Sequence, residues 1–259
     1  MRSFVRRTLA RKLTHTLAVC ALSAGLATGL ETIITAPSPA FALTQQEVAS
    51  RLSTVPVFVI SVGENLVSYP ATQTEGEAPA GDVMFVFLNR QDAENYVALT
   101  RSREDLQALP PDARVIVRSL EYLYNLEKTS QAEGDRKLNL VYIPETDEAE
   151  QAVALNSDFR RGVPLFFPQF EDGSIVSITQ NNGEKIFPMF FSRADLDTLL
   201  NDLNSRNAEA RGALSIGVVP LEIVLNQMLV SEDDTFEQVR LLPDSNVINE
   251  LQQNAPQGQ

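Results

Sequence analysis

The four residues Val55-Pro56-Val57-Phe58 recur as Val163-Pro164-Leu165-Phe166, an offset of 108. Three further matches follow in the same order. "VMFVFLNRQDAE" from Val83 aligns with "IFPMFFSRADLD" from Ile186 at 103, "SLEYLYN" from Ser119 with "PLEIVLN" from Pro220 at 101, and "LVYIPE" from Leu140 with "VRLLPD" from Val239 at 99. A preserved order with a slowly falling offset is what short loop deletions leave between two copies of one module. This periodicity constrains the fold most, because each copy must bury the same apolar pattern in the same way. It predicts a leader over 1–42, a first module over 43–158 and a second over 159–259.

Each copy reads as three strands, then alternating helices and strands. Val163–Phe170 alternates as a strand, Asp172-Gly173 suits a two-residue type I′ turn, and Ser174–Gln180 returns. Asn182-Gly183 turns again before Ile186–Phe191. The first copy has the same meander with a looser loop, "ATQTEGEAPAG", rich in Gly, Pro and acids. Asn89 and Ser192 then stand where helix N-caps belong, each with Asp three residues on, close to a capping box. Helix, strand, helix, strand and helix close each module, and Pro220 fits the first turn of one helix. The fold class is therefore α+β (mixed α/β), built as two pseudo-symmetric repeats with largely antiparallel sheets.

Residues 1–42 are expected to be a cleavable signal peptide. Arg2, Arg6, Arg7, Arg11 and Lys12 precede an apolar run, and Ala40-Phe41-Ala42 is a small-x-small cleavage site. The run is short and Thr-rich for a membrane span. The residues after Arg6-Arg7 fit a twin-arginine signal poorly, and the Arg-rich, acid-poor leader also suits an organelle transit peptide. The single histidine, His15, and the single cysteine, Cys20, both lie in this segment, and there is no tryptophan. A chain cut after Ala42 excludes Ser-His-Asp and Cys-His nucleophiles, His- or Cys-ligated zinc and disulfides. No cofactor and no metal site are expected. Losing five basic residues and one acid moves the net charge from −13 to −17. Such a surface disfavours nucleic acid and anionic lipid and leaves at most peripheral membrane contact.

Pro-bracketed "VPVFVI", "VFLNRQDAE", "VPLFFPQFEDG" and "FPMFFSRADLDTLL" behind such a leader resemble the 22-kilodalton subunit family of the translocon at the inner chloroplast envelope, including its cyanobacterial relatives. The resemblance covers most of the chain beyond residue 42. It implies a non-enzymatic, chaperone-like transport factor whose partners are unfolded or precursor proteins and translocon or outer-membrane assembly components. It implies the periplasm or thylakoid lumen of a cyanobacterium, or alternatively the plastid envelope intermembrane space. A structural scaffold, or a His- and Cys-free hydrolase drawing on Lys128, Lys137 or Lys185, are the other readings.

Apolar positions kept in both copies, such as Phe58 and Phe166, are expected to be core. Phe167 and Phe170 replace Val59 and Val62 in the second copy alone. With Met189 they are the candidate client-binding residues, against ordinary repacking as the alternative. Pro56, Pro164, Pro168 and Pro188 donate no ladder hydrogen bond and are expected at strand starts or sheet edges, where an extended peptide can add a strand. "SEDDTFE" (Ser231 to Glu237) lacks the turn glycine of a calcium loop and reads as a solvated acidic loop.

Overall fold

The first element is one that the repeat does not announce. Thr44 opens helix α1 (Gln45–Arg51) through a capping box, its hydroxyl accepting from the Glu47 N–H while the Glu47 carboxylate accepts from the Thr44 N–H. The computed structural model describes residues 42–71, 81–102, 109–133, 137–180, 182–206 and 214–254. The leader up to Phe41 and most of the 71–81 loop lie outside them. All the described residues belong to one compact unit, Pro39–Gln259.

The first half contributes strands β1 (Pro56–Val62), β2 (Asn65–Leu66), β3 (Tyr69–Pro70), β4 (Asp82–Phe87), β5 (Arg114–Ser119) and β6 (Leu138–Ile143). Its helices are α2 (Arg90–Ser102), α3 (Leu120–Glu133) and α4 (Thr146–Leu155). The second half contributes β7 (Pro164–Phe170), β8 (Ile178–Thr179), β9 (Lys185–Phe190), β10 (Leu214–Pro220) and β11 (Val239–Leu242). Its helices are α5 (Arg193–Arg206), α6 (Leu221–Val230) and α7 (Ser245–Gln253). The class is α+β, in two sheets with the same wiring. In the first, β5 runs antiparallel to β1 and β6 parallel to β4, while β1 and β4 meet at the single pair Phe58–Phe87. In the second, β10 is antiparallel to β7, β11 parallel to β9, and β7 meets β9 at Phe166–Phe190.

That single meeting point explains a misplaced expectation about proline. Pro56 and Pro164 do begin β1 and β7, but Pro168 and Pro188 lie inside β7 and β9, the central strands of their sheet. The edges are β10 and β11 instead. The Pro168 carbonyl accepts from the Val176 N–H, so its missing donor faces the hairpin, where β7 has already left β9. Pro188 falls between the Ile186–Ile178 and Phe190–Phe166 pairs, where that side of β9 has no ladder partner. A proline inside a sheet is tolerated where no ladder bond is lost.

The turn expected at Asp172-Gly173 also differs. Phe170 N–H donates to the Ser174 carbonyl and Gly173 N–H to the Phe170 carbonyl, so three residues turn the chain. Gly173 sits at φ +82°, the left-handed position of a type I turn followed by a bulge, and Asp172 accepts from the Ser174 N–H.

Alternation divides each strand between two cores. Val57, Val59, Met84 and Val86 from the first sheet join Leu165, Met189, Val239 and Leu241 from the second in one shared cluster, with α1, α3 and α6. The opposite faces are covered across the halves. Phe58, Ile60 and Phe87 pack with Ala93 and Val97 of α2 and with Val247 of α7. Phe166 and Phe190 pack with Leu196 and Leu200 of α5 and with Ala152 of α4. Each half thus sends its last helix to the other half's sheet. The Arg90 guanidinium lies 4.8 Å above the Phe58 ring and pairs with Glu250 of α7, pinning one such crossing.

Phe58 and Phe166 are fully buried. Phe58→Ala and Phe166→Ala are each expected to cost about 3–5 kcal/mol of stability, measured by denaturant unfolding; a variant that melts like its parent contradicts the assignment. Gly81→Ala is expected to be far more damaging than Gly173→Ala. Both have positive φ, but a Cβ at Gly81 would stand 1.9 Å from the Lys137 carbonyl oxygen while one at Gly173 meets nothing.

Candidate functional site

Two places on this framework combine exposure with chemistry. The first is a small, shallow cleft between the halves, open to solvent. Residues at matched positions of the two halves line it: Val55 and Val163, Pro56 and Pro164, Leu88 and Phe191, Glu145 and Asp244. Apolar strand ends form the walls. The chain enters α4 through Pro144-Glu145 and α7 through Pro243-Asp244, which points both crossed helices into the cleft.

Glu148, on the first turn of α4, is buried there. Both its carboxylate oxygens accept from the Arg193 N–H, at 3.2 and 3.1 Å, so α4 caps the start of α5. Burial pushes the Glu148 carboxyl up to about 6 despite the opposing Arg193 N–H and Ser192 hydroxyl, and the carboxylates of Glu145 and Asp244 add to the rise. Burial likewise raises Glu145, against a hydrogen bond from Asn89 and with Asp244 and Asp92 adding to it. Burial raises Asp244 too, with Asp195 contributing.

These contacts replace the capping box expected at Ser192. Ser192 is buried, Glu148 takes the first N–H of α5, and Asp195 reaches α7 instead, accepting from the Ser245 N–H at 2.9 Å and from its hydroxyl. Asn89 caps α2 as expected, accepting from the Gln91 N–H at 2.7 Å. Pro220 stands one residue earlier than expected, as the N-cap of α6. In the acidic stretch, Asp233 caps a 3₁₀ turn over Asp234–Gln238 by accepting from the Thr235 N–H.

The second place is the β7–β10 pair, where the three candidate client-binding residues separate. Met189 is buried in the shared core. Phe167 is half-buried against that core, with its ring over Gly217 of β10; a Cβ on Gly217 would lie 2.4 Å from the ring. The corresponding pair in the first half is Val59 with Ile116. A large residue beside none replaces two of middling size, which is a compensated repacking. The signal missed in the sequence was Gly217 inside "ALSIGV". Phe170 differs, remaining 45% exposed opposite Leu214, on the face that α4 covers. Val153 and Leu155 of α4 are exposed as well.

The geometry agrees with what comparison with known proteins finds. The model of the Tic22-like family matches residues 8–254. This chain belongs to the Tic22-like family. It is 26% identical over 215 residues to the chloroplastic TIC 22 protein of Pisum sativum, covering 81% of this chain and 78% of the pea protein. Among solved structures, Anabaena Tic22, described as a protein of protein transport, superimposes with a TM-score of 0.69 at 20% identity, over 84% of this chain and all of that one. Tic22 from Plasmodium falciparum gives 0.62 at 17% identity, over 80% and 96% of the two chains. The last two likenesses establish the fold.

Phe167→Val is expected to destabilise the protein by about 1–3 kcal/mol, and Gly217→Ile to do so by overpacking. The double variant is expected to recover most of the loss in a denaturant double-mutant cycle. Strict additivity would contradict the compensation.

Proposed function

We propose that this Tic22-like chain is a non-enzymatic escort that holds client proteins in an unfolded or extended state during transport. Its compartment is the periplasm or thylakoid lumen of a cyanobacterium, or the plastid envelope intermembrane space, and translocon or outer-membrane assembly components receive its clients. The observation that carries the reading is the apolar surface at the open end of the second sheet. Phe170 stands half-exposed there, paired in register with Leu214 of β10, which among the described residues has a ladder neighbour on one side only. Val153 and Leu155, on the helix α4 that packs against β7 and β10, are exposed as well. An edge strand with an aromatic beside it offers an extended chain both backbone hydrogen bonds and a side-chain contact. Family membership and the protein-transport role of the Anabaena relative support the same reading.

Among the described residues no helix is long and apolar enough to cross a membrane. The acidic composition adds attraction for basic clients at a range that salt shortens.

An unfolded outer-membrane protein is expected to scatter less light when diluted into a severalfold excess of this protein, with only partial loss of protection at high salt. Phe170→Ser is expected to weaken the protection while costing about 1 kcal/mol of stability or less, since only part of the ring is buried. No protection by the parent protein contradicts the escort and favours a scaffold. Full protection by the Phe170 variant moves the client surface elsewhere.

A further inference from the structure

Three carboxylates converge where the halves exchange helices, and the escort reading uses none of them. Glu148 is buried, its two oxygens share one backbone N–H, and two acids line the same cleft: Glu145 from its own helix and Asp244 from the cap of α7. The other charged groups facing this junction give little relief. From α5, the Arg193 guanidinium is turned to Asp197, 3.6 Å away, and Asp195 is bonded to Ser245. From α2, Asp92 adds negative charge, Asn89 donates to Glu145, and Arg90 is spent on Glu250. Asp147 of α4 adds one more acid. No positive side chain reaches Glu148 in this set, so its ionised form rests on one N–H and the Ser192 hydroxyl.

We propose that this junction is a proton-operated latch, in which protonation of Glu148 clamps α4 onto the second sheet and ionisation loosens it.

The sign follows from linkage. Glu148 titrates at about 6 in the fold against 4.5 in an open chain, so the folded state holds the proton more tightly. The extra hold is complete below the open-chain value and is lost as pH rises through about 6. Glu145 and Asp244, shifted the same way, reinforce the sign. The element released is defined by packing: α4 covers Phe166, Phe190 and Leu196 through Ala152, so lifting it bares an apolar cluster. The latch is a property of the fold and stands whether or not clients bind there.

The test is hydrogen exchange of the intact protein at pH 5.0 and 7.5, corrected for intrinsic exchange. Peptides from residues 146–155 are expected to be roughly tenfold better protected at pH 5.0, where the folded-state carboxyl keeps the proton that it has lost at pH 7.5. Peptides from α3 are expected to change much less. Glu148→Gln is expected to remove most of the α4 difference, and Glu150→Gln, at an exposed position on the same helix, to retain it. Equal protection of the parent α4 at both pH values overturns the latch, and so does a Glu148→Gln variant that keeps the parent's full pH dependence. Should Glu148→Gln not fold, the parent comparison of α4 with α3 decides alone.

Discussion

The crossing of α4 and α7 is the constraint on which the rest depends. Each sheet has two apolar faces, and a half on its own has only one long helix, α2 or α5, for the outer one. Phe58 and Phe87 need Val247 of α7, and Phe166 and Phe190 need Ala152 of α4. The inner faces merge into one cluster with α1, α3 and α6. Apolar area left exposed costs about 25 cal/mol per Å², so neither half keeps its stability if its partner's helix is withdrawn. The crossing also forces both helix starts into one cleft, which is why acids that are distant in sequence come to face one another there.

Ladder pairing reduced to one position between central strands gives the sheets their second peculiarity. Because ladder pairing between β1 and β4 is confined to Phe58–Phe87, and between β7 and β9 to Phe166–Phe190, each sheet is two well-laddered strand pairs lying side by side with one paired position between them. Prolines are admitted into central strands for that reason, and among the described residues the outer pairs leave β10 with an open side. The apolar surface at Phe170 and the carboxylate cleft lie at opposite kinds of boundary. One is a sheet edge facing solvent, and the other is a seam between halves.

Local pattern made much of this legible. The repeat located most strands and helices, placed Phe58 and Phe166 in the core, and aligned Glu145 with Asp244 through "LVYIPE" and "VRLLPD". What it hid depends on neighbours distant in the chain. Asp195 looks like a capping-box residue, yet Ser245 claims it because α7 arrives beside α5. Glu148 aligns with Val247, an apolar residue, and no periodicity reveals that one is a buried acid capping another helix. The packing partner of Phe167, Gly217, lies fifty residues away on the paired strand, so the repacking alternative had no local signal. Helix α1 was readable from Thr44 and Glu47 alone, but the second half has no matching sequence and a reading by internal matches passes over it.

The interlock is tested most directly by the tyrosines. All five, Tyr69, Tyr96, Tyr122, Tyr124 and Tyr142, lie in the first half, and the chain has no tryptophan. Tyrosine fluorescence therefore arises from residues of the first half alone, whereas far-ultraviolet circular dichroism weights both halves. Leu196, fully buried beneath the second sheet, is far from that signal in sequence. If the exchanged helices make one cooperative unit, Leu196→Ala shifts the denaturant midpoint seen by tyrosine as far as the one seen by circular dichroism. A tyrosine transition that stays at the parent midpoint while the dichroism moves would contradict the account.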